Sequence, residues 1–215
     1  MPLQRIVAIA GILLGLIGLG IDYQIIMTSP GITVGGTPVE RGAVGQFIYF
    51  WSFFTHLTNF GLVLVYVASL TDWKALAWVR HPVGRASMAG NIALVMVFFH
   101  FFLAPNFTFT GGLLVANYIL HYAAPLLYLI WWFTLIPHGT LRFSQIPIML
   151  LPGLIYVVLV LVRGAIVSEY PYAILDASTA GYGGVLIGVL AILVSVAVFC
   201  TILIAFDQRL GRKTA

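Results

Sequence analysis

The chain has 215 residues, of which 61% are hydrophobic and only 7% are charged. A soluble domain carries about 25% charged residues, so this composition excludes an ordinary soluble protein. The net charge is +4, but the basic residues are scattered along the chain, which argues against a nucleic-acid-binding surface. Apolar runs of about 20 residues recur throughout and predict an all-α integral membrane protein.

Six transmembrane helices are predicted, within a single domain that covers residues 1–215. In chain order the predicted spans are 3–27, 47–70, 87–103, 113–135, 146–167 and 185–206, and the third is the shortest. The first run resembles a signal peptide, but it is long and no A-x-A-like cleavage site follows it, so we expect a retained helix.

Lysines and arginines divide unequally between the two sides of these spans. Arg41 and Arg163 fall on one side, and the other eight fall on the opposite side. The positive-inside rule then predicts that both termini are cytoplasmic. The eight are Arg5, Lys74, Arg80, Arg85, Arg142, Arg209, Arg212 and Lys213.

With this orientation, most intramembrane polar side chains fall in the outer half of the bilayer. Buried ionisable groups are costly in lipid and usually face a bundle interior or a wet cavity. The sequence therefore predicts one polar pocket that opens to the outer side. Its members are Asp22, Thr55, His56, Thr58, Asn59, His100, Asn117, His121 and Arg163, with Glu169 and Asp176 in the last outer loop.

Helical spacing groups several of these residues on common faces. Gly11, Gly15, Gly18 and Asp22 form one face of the first span, which is typical of close helix packing that leads to a carboxylate. Three other faces are predicted in the same way: Thr55, Thr58, Asn59, Leu62 and Tyr66 in the second span, Asn117, His121 and Tyr128 in the fourth, and Pro152, Tyr156 and Arg163 in the fifth.

Two of the polar residues could serve nucleophilic chemistry. Thr58 needs a base to become a nucleophile, and His121 is a suitable one because neutral imidazole accepts a proton. Each also has a purely structural interpretation. A threonine in a membrane helix usually donates to a carbonyl one turn earlier, and a lone histidine usually joins two helices by a hydrogen bond.

The charged and metal-ligating residues leave similar alternatives open. Arg163 is expected either to pair with Asp22, Glu169 or Asp176 or to bind a substrate carboxylate. His56, His100 and His121 could hold haem or a metal, but their spacing matches no compact ligand motif, so neither a metal nor a cofactor is expected.

Three segments together resemble a known family. They are "THLTNFGLVL" (55–64), "NYILHYAAPLLYL" (117–129) and "LVRGAIVSEYPYAILD" (161–176), with His121 and Pro125, and Tyr170 and Pro171, as the sharpest matches. In this order they resemble the androgen-induced membrane hydrolases and their bacterial six-helix relatives. The resemblance covers most of the chain. It implies a threonine hydrolase that cleaves fatty acid esters of hydroxy fatty acids, with Thr58 as nucleophile, Thr55 as the alternative, and His121 as its partner.

The function expected from this resemblance is intramembrane hydrolysis of a lipid ester. Asn59, Asn117 or Tyr156 would stabilise the oxyanion, and Arg163 would hold a substrate carboxylate. No group that orients His121 is evident from the sequence, and Asp22 is the candidate by depth. The remaining supporting polar residues are Thr55, His56, His100, Tyr170 and Asp176. Membrane lipids and a lipid ester are the expected partners, and a bacterial inner membrane is the expected location. A carrier or binding protein for an anionic lipid or small molecule, and a haem-binding redox protein, are the alternatives.

Overall fold

The computed structural model describes residues 2–29, 31 and 39–212, and this part of the chain is helical without strands. Short 3-10 turns and two π-helical segments connect or extend the α-helices. The α-helices are α1 (Leu3–Thr28), α2 (Ala43–Phe50), α3 (Phe54–Leu70), α4 (Ala77–Arg80), α5 (Pro82–Phe98), α6 (Gly111–Tyr118), α7 (Ala124–Leu135), α8 (Ile146–Val167) and α9 (Ala177–Gly211).

Within the described residues, five helical stretches are long and apolar enough to cross a membrane. A sixth span results if α2 and α3, which are bent by 70° relative to each other, are taken together. These helices and the composition indicate a membrane protein. The five stretches are Leu3–Thr28, Pro82–Asn106, Gly111–Leu135, Phe143–Val167 and Ala177–Gly211.

The boundaries of the predicted spans differ most where a side chain caps a helix. The third span is as long as the fourth and the fifth, at 25 residues each, because α5 already begins at Pro82, where the His81 side chain accepts a hydrogen bond from the Val83 amide. The last helix extends back to Ala177, where the Asp176 carboxylate accepts from the Ser178 amide, but a kink at Gly181 (φ 65°, ψ 164°) separates this first turn from the rest of α9. The fifth span, 146–167, coincides with α8.

The second predicted span is interrupted near its beginning. Residues 51–53 separate α2 from α3, so the expected continuous helix over 47–70 is wrong. A break inside the apolar region frees backbone groups, which must be satisfied by side chains. His56 Nδ1 lies 2.5 Å from the Phe50 carbonyl oxygen, and the Tyr156 hydroxyl donates to the Ser52 carbonyl at 3.0 Å. These two side chains stabilise the break.

The predicted glycine face of α1 is confirmed as a close-packing surface. Gly11, Gly15 and Gly18 are all buried. A Cβ atom at Gly15 would lie 2.7 Å from Val63 of α3, and one at Gly18 would lie 2.6 Å from Ile119. The absence of side chains therefore lets α1 contact α3 and the region around His121 directly.

A polar contact at the other end of the bundle was not anticipated from the sequence. Asp207 of α9 accepts from the Leu141 amide at 2.8 Å, and its second oxygen lies 3.1 Å from His138 Nδ1. Both side chains are buried. The pair attaches the end of α9 to the loop between α7 and α8.

Candidate active site

The central feature of the candidate site is a contact between Thr55 of α3 and His121. Thr55 Oγ1 lies 3.3 Å from His121 Nε2, and both side chains are buried. On the other side of the ring, Nδ1 lies 3.1 Å from the Asn117 carbonyl oxygen. A carbonyl can only accept, so in the neutral imidazole Nδ1 carries the proton. Nε2 then accepts from the Thr55 hydroxyl, as a general base for that hydroxyl must.

Thr58, the threonine expected to pair with His121, points elsewhere. Its hydroxyl donates to the Phe54 carbonyl at 2.7 Å, the contact usual for a threonine inside a helix. Thr55 lies in the first turn of α3, and the residue four positions earlier, Trp51, belongs to the break. Because the break removes the carbonyl to which Thr55 would otherwise donate, its hydroxyl reaches His121 instead.

His121 lies in a π-helical segment, Ile119–Ala123, and stacks on a residue of a second one. That residue is Phe99, the first of Phe99–Leu103, and the two ring centroids are 3.6 Å apart with the planes inclined by 17°. Such segments rotate side chains out of the regular helical register and are frequent at functional sites. The stack covers one face of the imidazole.

The two asparagines expected to bind an oxyanion instead hold the backbone around the site. Asn59 donates both amide hydrogens, to the Thr55 carbonyl at 2.8 Å and to the Leu120 carbonyl at 3.0 Å. The Asn117 side chain donates to the Leu113 carbonyl at 3.0 Å. Asn59 therefore joins α3 to the segment that carries His121, and its amide hydrogens are not free for a substrate.

Two tyrosines lie beside Thr55. The Tyr156 hydroxyl, an expected oxyanion donor, donates to the Ser52 carbonyl. Tyr172, to which the sequence assigned no role, lies beside the Thr55 and Tyr156 hydroxyls and the backbone amides of Phe54 and Thr55. Burial raises the pKa of the Tyr172 phenol, and hydrogen bonds from the two backbone amides oppose that rise. Tyr172 follows the Tyr170-Pro171 pair in a loop, where helical spacing cannot reveal the direction of a side chain.

Asp22, the candidate by depth for orienting His121, pairs with His56 instead. Asp22 Oδ2 lies 2.6 Å from His56 Nε2, while His56 Nδ1 faces the Phe50 carbonyl. Both ring nitrogens of His56 are thus engaged by oxygen atoms. His56 and Asp22 stabilise the junction of α1, α2 and α3, whereas the group that orients His121 is the Asn117 carbonyl.

Arg163 pairs with Glu169, one of the three acids expected for it. The Glu169 carboxylate contacts both Arg163 and Arg41, and Arg163 also donates to the Glu169 carbonyl at 2.9 Å. These residues line a groove beside α2 that does not include Thr55. Asp176 instead caps α9, and hydrogen bonds from Ser178 lower the pKa of its carboxyl.

Two other predicted site residues lie away from Thr55. His100 is exposed, and its Nδ1 lies 3.1 Å from the Tyr122 hydroxyl. The Tyr170 ring packs directly against Gly164 of α8. His56, His100 and His121 therefore form no common ligand set, and across residues 2–29, 31 and 39–212 no group of three or more metal-ligating side chains is found.

Thr55 also lines a narrow cavity between α3, α5, α8 and α9. Its walls are almost entirely apolar, with Thr55, Asn91, Tyr156 and Tyr172 as the polar contributors. On the side of α5, the lining residues run from Asn91 to Leu103, so the cavity is elongated along the helices. A narrow apolar space with a hydroxyl in its wall has the lining that suits a hydrocarbon chain.

Comparisons of the chain with family models, with curated proteins and with solved structures each found no match.

Proposed function

We propose that this protein is an intramembrane hydrolase of lipid esters, with Thr55 as nucleophile and His121 as base. The observation that carries the proposal is the oriented pair: Thr55 Oγ1 lies 3.3 Å from His121 Nε2, while Nδ1 is engaged by the Asn117 carbonyl. The resemblance of the chain to threonine hydrolases supports the same reaction. The assignment of Thr58 to the nucleophile is replaced by Thr55, because only Thr55 contacts the imidazole.

In the first half of the reaction, Thr55 Oγ1 attacks the ester carbonyl carbon and its proton moves to His121 Nε2. The new carbon–oxygen bond forms a tetrahedral intermediate. The bond to the alcohol oxygen then breaks, and His121 returns the proton to that oxygen. In the second half, His121 takes a proton from water, which attacks the acyl-threonine. The bond between the acyl carbon and Thr55 Oγ1 then breaks, His121 returns the proton to Oγ1, and a fatty acid is released.

The developing oxyanion needs a hydrogen-bond donor, and Tyr172 is placed beside the beginning of α3 to supply one. The backbone amides of Phe54 and Thr55 lie in the first helical turn, and Tyr172 lies against them. Helix N-termini favour negative charge, and a donor in an oxyanion site contributes about 3 kcal/mol to transition-state stabilisation. We assign the oxyanion to this end of α3, with the Tyr172 hydroxyl as the side-chain donor.

The proposed location is a bacterial inner membrane, with both termini in the cytoplasm and the cavity reached from the outer leaflet. The unequal distribution of lysine and arginine supports this orientation, although Lys213 lies outside the described residues. Arg5 near the start of α1 and Arg209 near the end of α9 belong to the basic side. Cysteine-accessibility mapping of each terminus in intact cells tests it.

The nucleophile is tested with a lipid-like fluorophosphonate, which modifies activated hydroxyl groups. We expect an adduct on the peptide that contains Thr55, and its loss in Thr55→Val. Thr58→Val is the matched control, since it removes a buried hydroxyl one helical turn away. Labelling that persists in Thr55→Val, or ester turnover at the wild-type rate in that variant, would show that the proposal is wrong. Lipid flux in liposomes without cleavage would favour a carrier.

A further inference from the structure

The far end of the cavity contains a buried polar atom for which the reaction has no use. Asn91 of α5 is fully buried, and it lies eight residues before Phe99 on the same helical stretch. At 1.5 Å per residue, about 12 Å separates the two along the helix axis. Phe99 stacks on His121, so Asn91 lies about that far from the reacting end of the cavity.

The Asn91 side chain is held in one orientation, which leaves its oxygen without a partner. Its amide nitrogen donates to the Ser87 carbonyl at 2.8 Å. Because that carbonyl can only accept, the nitrogen must face it and the oxygen must face away. Asn91 Oδ1 has no hydrogen-bond partner among the described residues. A buried acceptor without a donor is unfavourable, so such an atom calls for an occupant that donates.

A glycine in the cavity wall lies beside this oxygen. Gly153 of α8 also lines the cavity, and a Cβ atom there would lie 3.5 Å from Asn91 Oδ1, in van der Waals contact. The neighbouring Ser87 hydroxyl does not compensate, since it donates to the Met149 carbonyl at 2.7 Å. Gly153 therefore leaves room for an atom of an occupant to approach the oxygen.

We propose that the cavity selects an acyl chain that carries a hydroxyl group along its length, and that this hydroxyl donates to Asn91 Oδ1 while the ester carbonyl lies at Thr55. This inference rests on the proposed hydrolase function and names its substrate class. An unsubstituted chain leaves the oxygen unsatisfied. A carboxylate, which only accepts, is repelled by it. An amide satisfies it but brings a carbonyl for which this end of the cavity has no free donor, since the Asn91 and Ser87 donors are already used.

The test is a positional series of monohydroxy-octadecanoyl esters of one alcohol, with the plain octadecanoyl ester as reference. For the wild type we expect one hydroxyl position to raise kcat/KM over the plain ester by about tenfold or more, because a buried acceptor discriminates against a chain without a donor. Asn91→Leu should reduce this ratio to about one. Ser195→Ala, which removes a hydroxyl that bonds within α9 outside the cavity, is the control and should keep the ratio.

A second variant keeps the test decisive if Asn91→Leu fails to fold. Gly153→Ala leaves Asn91 in place but covers its oxygen, so it should also abolish the positional preference. A wild type that cleaves every ester in the series equally well would overturn the inference, and so would a preference that survives both variants. If a single buried water satisfied Asn91 Oδ1, the wild type would cleave every ester in the series equally well.

Binding separates this inference from the hydrolase proposal. Ether analogues of the same series cannot be cleaved, and the hydroxylated analogue should raise the Tm of the wild type more than the plain one. The difference should vanish in Gly153→Ala. Preferential binding without any ester turnover would retain the hydroxyl site and refute the hydrolase. Turnover without preference in either assay would retain the hydrolase and refute the hydroxyl site.

Discussion

Phe99 and His121 stack face to face, with ring centroids 3.6 Å apart, and each ring belongs to a π-helical segment of a different membrane helix. The two irregular segments meet at the residue proposed as base. A regular helix at either position would turn one ring away from the other. The irregularity therefore positions the imidazole against Thr55, whose own orientation depends on the break between α2 and α3.

The contribution of this stack can be measured with Phe99→Leu, which keeps an apolar side chain but removes the ring. A stacked aromatic pair contributes about 0.5–1.5 kcal/mol, so we expect kcat for ester hydrolysis to fall about tenfold. KM should change little, because the loss concerns the orientation of the base. Phe101→Leu, in the same π-helical segment but exposed, is the matched control. Equal losses in both variants would indicate general disruption of the segment.

Tyr172 and Tyr156 both lie beside Thr55, and conservative variants separate their roles. Tyr172→Phe removes the proposed oxyanion donor, so kcat should fall about a hundredfold while the unfolding temperature changes little. Tyr156→Phe removes the donor to the Ser52 carbonyl in the helix break, so the free energy of unfolding should fall by about 1–3 kcal/mol. Turnover per folded molecule should then stay within about threefold. If Tyr156→Phe lowered kcat and Tyr172→Phe lowered the free energy of unfolding, the roles of the two tyrosines would be exchanged.

Periodicity and composition predicted the features that depend on one helix at a time. The glycine face of α1, the buried face of α3 and the bounds of α8 all follow from local pattern. The identity of the threonine that contacts His121 does not follow from local pattern. It depends on the break at residues 51–53, where the sequence resembles the apolar and aromatic sequence around it. Histidine and tyrosine stabilise this break from α3 and α8, and such a contact between distant segments has no signature in a single sequence.

The same limit explains why the expected roles of several polar residues changed. Asn59, Asp22 and Tyr156 all lie close to Thr55 or His56, as expected from their predicted depth in the bilayer. However, the Asn59 amide nitrogen, an Asp22 carboxylate oxygen and the Tyr156 hydroxyl are engaged by backbone or by another side chain. Predicted depth in the bilayer identified the region of the site. Which hydrogen-bonding groups there are already engaged can be told only from the three-dimensional structure.

The packing of α1 leads to a matched pair of glycine substitutions. A Cβ atom at Gly11 would overlap the Tyr66 ring, whereas one at Gly20 would meet nothing within 4 Å. Gly11→Ala should lower the free energy of unfolding by about 1–3 kcal/mol, because the packed ring must shift. Gly20→Ala should be neutral or stabilising by up to about 1 kcal/mol, since alanine is the better helix former. Thermal unfolding of both variants in one detergent measures the contrast, and equal destabilisation would contradict this packing.

The cap of α9 leads to a pH-dependent prediction. Asp176 accepts from the Ser178 amide at 2.8 Å and from the Ser178 hydroxyl at 2.5 Å, and these bonds lower the pKa of the carboxyl from its ordinary value of 3.8. Because the folded pKa lies below the unfolded one, the stabilisation is fully present above about pH 4 and is lost as the pH falls through the folded pKa. Asp176→Ala should therefore cost about 1 kcal/mol near neutral pH.

Asp176→Asn distinguishes the cap from the charge. Asparagine also accepts at a helix N-cap, so this variant should retain most of the stability near neutral pH. Its amide does not titrate, so the additional loss of stability that the wild type shows below about pH 4 should be reduced. Unfolding temperatures measured from neutral pH down to the acid range for wild type, Asp176→Asn and Asp176→Ala provide the comparison. If Asp176→Asn is as unstable as Asp176→Ala near neutrality, the negative charge at the beginning of α9, rather than the hydrogen bond, stabilises this helix.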